Sequence, residues 1–98
     1  MGGGQGADGN QVTYRIEIKR SAHKTLLALP QELRRRLAAA VDGLALDPRG
    51  PGTRKLTGSD RLYRLRVGDY RLIYEIHDDR LLILVVKLGH RREVYRDR

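Results

Sequence analysis

Three arginines, Arg64, Arg66 and Arg71, fall within eight residues of the stretch LYRLRVGDYRLIYEI, residues 62–76. Guanidinium groups gathered this closely do one kind of chemistry well. Their planar fork matches the oxygens of a phosphate or carboxylate, two hydrogen bonds at a time. They do another badly, because arginine stays protonated in proteins and is a poor general base. Downstream, GHRREVY (89–95) gathers His90, Arg91, Arg92 and Tyr95. A histidine titrates near neutrality without help, and a phenol among cations is drawn towards its phenolate. Each also has a plain reading, His90 as a surface residue after a strand and Tyr95 as a ring at the edge of the core. The three histidines, His23, His77 and His90, lack metal-ligand spacing, so no metal site and no cofactor are expected.

The hairpin that must position the arginines is legible. Gly68-Asp69 between two alternating runs predicts a two-residue turn, with glycine supplying the positive φ. Val67 then pairs with Tyr70, Arg66 with Arg71, Leu65 with Leu72 and Arg64 with Ile73. Tyr63, Leu65, Val67, Tyr70, Leu72, Tyr74 and Ile76 share a core face, and the arginines share the other. Arg66 and Arg71 oppose each other directly, which destabilises a ladder unless something neutralises them. Glu17 and Glu75 are the candidate carboxylates; otherwise the arrangement waits for an anion.

The rest of the chain supplies a small frame. Its 98 residues make one domain with one modest core. Residues 1–11 are Gly-rich and polar and predict a flexible tail without an apolar signal segment, leaving 12–98 as the folded domain. VTYRIEIKR alternates as a half-buried strand. Ser21 is the expected N-cap of a short helix through Leu29, and Pro30 opens a second helix. That helix carries Leu33, Leu37, Ala40, Val41 and Leu44 as one stripe, with Arg34, Arg35 and Arg36 on its flanks and outer side, and ends at Asp47-Pro48. RGPGTRKLTG reads as a loop, and LLILVVKLG as a central strand apolar on both faces. The expected fold is α+β: a small, mostly antiparallel sheet on a helical hairpin, in the order β-α-α-β-β-β. Twenty Lys and Arg against twelve Asp and Glu leave a net charge of +8, which points to a polyanionic partner. There is no cysteine, and no apolar run approaches the ~18 residues of a membrane span. A cytoplasmic setting is expected.

YRLRVGDYRLIYEI followed by a strand and GHRREVY resembles the RelE/ParE superfamily of toxins from bacterial type II toxin–antitoxin systems. The likeness runs from Tyr14 to Tyr95. It takes in the helical pair ending in Asp-Pro, the Lys-Leu…Gly segment, the Gly-x-Tyr-Arg hairpin and the closing Gly-His-Arg…Tyr, and leans to the RelE branch. The resemblance implies a metal-independent, ribosome-dependent endoribonuclease that cuts messenger RNA, held in check by a cognate antitoxin. Carried over motif by motif, it implies catalytic roles for Arg64, Arg71, Arg91 and Tyr95, with His90 a further candidate acid or base. Arg66, Lys55, Lys87 and Arg92 are the charges expected to hold RNA or ribosome. Well-studied relatives carry lysines where this chain has Arg64 and Arg66, so the proton-transfer group is an open question. Two other readings fit the same fold: a ParE-like inhibitor of DNA gyrase, and a non-catalytic basic module that binds nucleic acid.

Overall fold

The computed structural model describes residues 13–90; the Gly-rich stretch 1–11, Val12, and residues 91–98, with Arg91, Arg92 and Tyr95, lie outside the described residues. The chain runs through β1 (Arg15–Ile18), α1 (Arg20–Leu27), α2 (Gln31–Leu46), β2 (Thr53–Lys55), β3 (Leu62–Val67), β4 (Tyr70–His77) and β5 (Leu82–His90). The five strands form one sheet in the order β1-β5-β4-β3-β2. Only β1 and β5 pair in parallel. The expected α+β order therefore holds, with one addition: the loop after α2 contains the short edge strand β2, antiparallel to β3.

Both helices lie on one face of the sheet. Leu37, Val41 and Leu44 of α2 and Ala22 of α1 pack on Leu65, Leu72, Tyr74, Ile76, Ile83, Val85 and Leu88. The heptad-like spacing of the α2 residues and the period of two along the strands aim these side chains at one another. Pro30 takes the N-cap position of α2 rather than its first turn. Ser21 is not a cap: Lys19 holds that position without a side-chain bond, and the Ser21 carbonyl accepts from the Thr25 hydroxyl at 3.1 Å. Among the described residues no helix is long and apolar enough to cross a membrane.

One end of the sheet is fastened by a polar lock. Asp78, in the β4–β5 turn, accepts from the Tyr14 hydroxyl at 2.5 Å and from Arg49 Nη2 at 2.9 Å. Arg49 Nε also donates to the Tyr63 hydroxyl at 3.1 Å, with the guanidinium 5.3 Å from that ring's centre. Tyr63 stacks on Tyr74, whose hydroxyl donates to the Pro48 carbonyl at 2.7 Å. The hydrogen bond from Arg49, then that from Tyr14, holds the Asp78 carboxyl below its ordinary range. A carboxyl lowered in the folded state stabilises above its unfolded value, and the contribution is lost as pH falls through the folded one. Thermal unfolding of the wild type should therefore lose more between pH 7 and pH 3 than that of Asp78→Asn, because the variant has no carboxylate to protonate there.

Candidate nucleic-acid interface

The β3–β4 register places Arg66 opposite Arg71, Arg64 opposite Ile73, Leu65 opposite Leu72 and Val67 opposite Tyr70, as the turn residues predict. Gly68 supplies the left-handed conformation, at φ +60°. The arginines thus leave the core face to Leu65, Leu72 and the tyrosines. Tyr74 is fully buried in that core, and Tyr63 and Tyr70 pack against it.

A one-residue irregularity decides the rest of the site. Tyr74 pairs with Val85 but Ile73 pairs with Lys87, so Val86 is an extra residue on β5. A bulge of this kind shifts the alternation of every later position. Before it, Ile83 and Val85 face the helices; after it, Leu88 does. Lys87, opposite Ile73, and Gly89, opposite Arg71, thereby fall on the second face, with the arginines.

Two rows of cations result. One runs Arg54, Arg64, Ile73, Lys87 across β2, β3, β4 and β5; the next runs Arg66, Arg71, Gly89. Arg71 is at the centre, directly opposite Arg66 and diagonal to both Arg64 and Lys87. Diagonal positions lie roughly 7–8 Å apart, within reach of long side chains. Gly89, opposite Arg71, contributes no side chain on that flank.

Arg71 is also the unusual member of the cluster. Arg66 is exposed, whereas Arg71 is only 7% exposed, and its Nε and Nη1 are buried without a hydrogen-bond partner. Buried guanidinium groups are ordinarily paired with a carboxylate, since an unsatisfied charged donor is costly. The carboxylates proposed for this task are engaged elsewhere. Glu75 accepts from His77 Nε2 at 2.7 Å, and Glu17 pairs with Arg15 at 3.2 Å. Arg80 Nη2 lies 3.5 Å from His77 Nδ1. The second face is therefore divided along β4, with cations near the Gly68 turn and the Glu75–His77 pair towards the other end.

The sequence-derived candidates separate on this geometry. Arg64, Arg66, Arg71 and Lys87 come together. Lys55 does not: it pairs with Tyr63, whose side chain packs on the helix-side core, so it lies at the rim of the opposite face. His90 does not either. It pairs with Tyr70 and meets that ring edge-on at 5.7 Å, on the helix side of the sheet, so the described structure does not bring this expected acid or base to the arginines. Arg91, Arg92 and Tyr95 lie beyond the described residues. Arg54, opposite Arg64, joins the clustered arginines from a segment that reads as a loop. Its only sequence signal is the brief polar-cation alternation of Thr53-Arg54-Lys55.

Among the described residues no group of three or more His, Cys, Asp or Glu could hold a metal ion. What the second face offers is a guanidinium-lined surface with one buried, unpartnered fork, suited to phosphate oxygens.

Comparison with known proteins agrees with this architecture. The family model described as ParE toxin of type II toxin–antitoxin system, parDE, matches residues 16–95. Toxin RelG of Mycobacterium tuberculosis is 30% identical over 90 residues, spanning 85% of this chain and 97% of RelG. The structure of an archaeal RelE–RelB complex from Pyrococcus horikoshii contains a chain 35% identical, with a TM-score of 0.73, covering 82% of this chain and 97% of that one. The isolated E. coli toxin RelE superposes with a TM-score of 0.71 at 26% identity, over 86% of this chain and 93% of its own. The chain belongs to the RelE/ParE superfamily of toxins of type II toxin–antitoxin systems.

Proposed function

We propose that this toxin is a ribosome-dependent, metal-independent endoribonuclease that cleaves messenger RNA in the cytoplasm and so inhibits translation. The observation that carries this reading is the buried Arg71 fork, unpartnered at the centre of the cationic second face. In metal-free RNA cleavage the 2′-oxygen attacks phosphorus, and negative charge grows on the phosphoryl oxygens. Preorganised cations in a partly buried site stabilise that charge far more than they would in water. Arg71 holds the phosphoryl group, with Arg64 beside it; Arg66 and Arg54 carry the flanking backbone. Arg91 and Tyr95 complete the set, with Tyr95 as the acceptor of the 2′-hydroxyl proton.

The partner is a cognate antitoxin that covers the cations with an acidic or amphipathic segment. RelB antitoxins accompany several of the similar RelE chains, which supports this reading. A cover of that kind neutralises the field by which the toxin finds RNA.

Purified toxin should be added to translating ribosomes and the messenger ends mapped by primer extension. Discrete new ends within the ribosome-bound codons are expected, unaffected by EDTA wherever ribosomes remain assembled and absent once antitoxin is added. Naked RNA should be cut slowly or not at all. Inhibition of gyrase supercoiling with intact messenger would instead select the ParE-like reading, which the name of the matching family model favours.

A further inference from the structure

The cationic face has a chemical gap: arginines stabilise charge but do not move protons. We propose that Lys87 is the general acid of this site, protonating the leaving 5′-oxygen of the RNA; the assignment rests on the ribonuclease reading above.

Two placements lead to it. Of the cations gathered near the Gly68 end of the second face, Arg54, Arg64, Arg66, Arg71 and Lys87, only Lys87 can give up a proton. It stands diagonal to Arg71, so an ammonium on its flexible stem reaches the same phosphate that the Arg71 fork holds. The second placement is the bulge at Val86. Were Val86 to take a regular place in the alternation instead, Lys87 would share a face with Ile83 and Val85 and point into the helix-side core. His90 would take the second face in its stead. The bulge exchanges the two titratable groups, and bulges commonly re-aim side chains beside active sites.

The step balances without a further reactant. The 2′-oxygen bonds to phosphorus and its proton passes to the acceptor proposed above. As the bond from phosphorus to the 5′-oxygen breaks, a proton moves from Lys87 Nζ to that oxygen. A 2′,3′-cyclic phosphate and a 5′-hydroxyl leave, and solvent returns the two side chains to their starting protonation.

The test uses the full chain on programmed ribosomes, with two messengers. One is ordinary; in the other, sulfur replaces the bridging 5′-oxygen at the cleaved bond. A thiolate leaves without being protonated, so it needs no acid. On the ordinary messenger, Lys87→Met and Lys87→Arg should each slow single-turnover cleavage about a hundredfold. Lys87→Arg should keep ribosome affinity, and the limb of the pH–rate profile due to the acid should vanish. On the sulfur messenger both variants should recover to within a few fold of wild type, while Arg71→Met should not. If both Lys87 variants cleave the ordinary messenger at the wild-type rate, or lose rate equally on both messengers, Lys87 is not the acid. If wild-type toxin cleaves neither messenger, the ribonuclease reading itself has failed.

Discussion

Arg71→Met should stabilise the fold while nearly abolishing cleavage. The guanidinium is buried with two N–H donors unpartnered, and an exposed like charge, Arg66, stands opposite it. Methionine keeps most of the apolar stem and removes the unsatisfied charge. Relief of such a buried group is worth about 1–3 kcal/mol, and exchanging buried ionic groups for apolar ones of similar volume is often neutral or stabilising. The midpoint of urea unfolding should rise accordingly. Cleavage on ribosomes should fall about a hundredfold or more, as expected on losing one transition-state cation. Arg71→Ala should lose as much activity with less gain in stability, since it also deletes the packed stem. Arg71→Lys should fall between wild type and methionine in rate, because it keeps the charge but not the fork. A methionine variant that unfolds, while its folded fraction cleaves normally, would make Arg71 a structural residue.

Leu88→Asp should be far more damaging than deletion of Val86, two positions earlier. Leu88 is 7% exposed in the core. Losing a buried leucine and burying a carboxylate each cost a few kcal/mol, so destabilisation of about 3 kcal/mol or more is expected. Cleavage should vanish together with the folded signal in circular dichroism. Deletion of Val86 removes only the extra residue: Val85, Lys87 and Leu88 then alternate regularly, so Lys87 keeps the second face and Leu88 the core. That variant should fold and cleave nearly as wild type. The contrast separates the facing of the later side chains from the bulge itself.

The bulge also marks where the sequence stopped being informative. Gly68-Asp69 announces its turn chemically, so the whole β3–β4 register and the shared face of Arg64, Arg66 and Arg71 could be read from alternation alone. LILVVKL offers no such marker. It is apolar on both faces, with no glycine or proline at the irregular position, and the extra residue shows only when β5 lies against β4. Strict alternation from Ile83 sends His90 to the arginines and Lys87 to the core; the structure does the reverse. Strand β2 is three residues long and exists through its pairing with β3, so its sequence reads as a loop and does not mark Arg54 as a sheet residue. The Arg49–Asp78 pair joins residues 29 apart, and no local pattern in the chain announces such a contact. Composition and charge foretold a polyanionic partner, but not that one arginine would be buried with its fork unfilled.

A single double-substitution cycle reaches the central claim, that the Arg71 fork holds the phosphoryl oxygens during cleavage. One non-bridging oxygen of the scissile phosphate is replaced by sulfur, as each pure stereoisomer, in a ribosome-bound messenger. Single-turnover rates are then compared for wild type and Arg71→Met. Sulfur is a poor acceptor for a guanidinium, so one isomer should slow the wild type by at least tenfold and barely slow Arg71→Met, because the contact it disrupts is already gone. Equal slowing of both proteins by both isomers would mean that Arg71 does not touch the reacting phosphate.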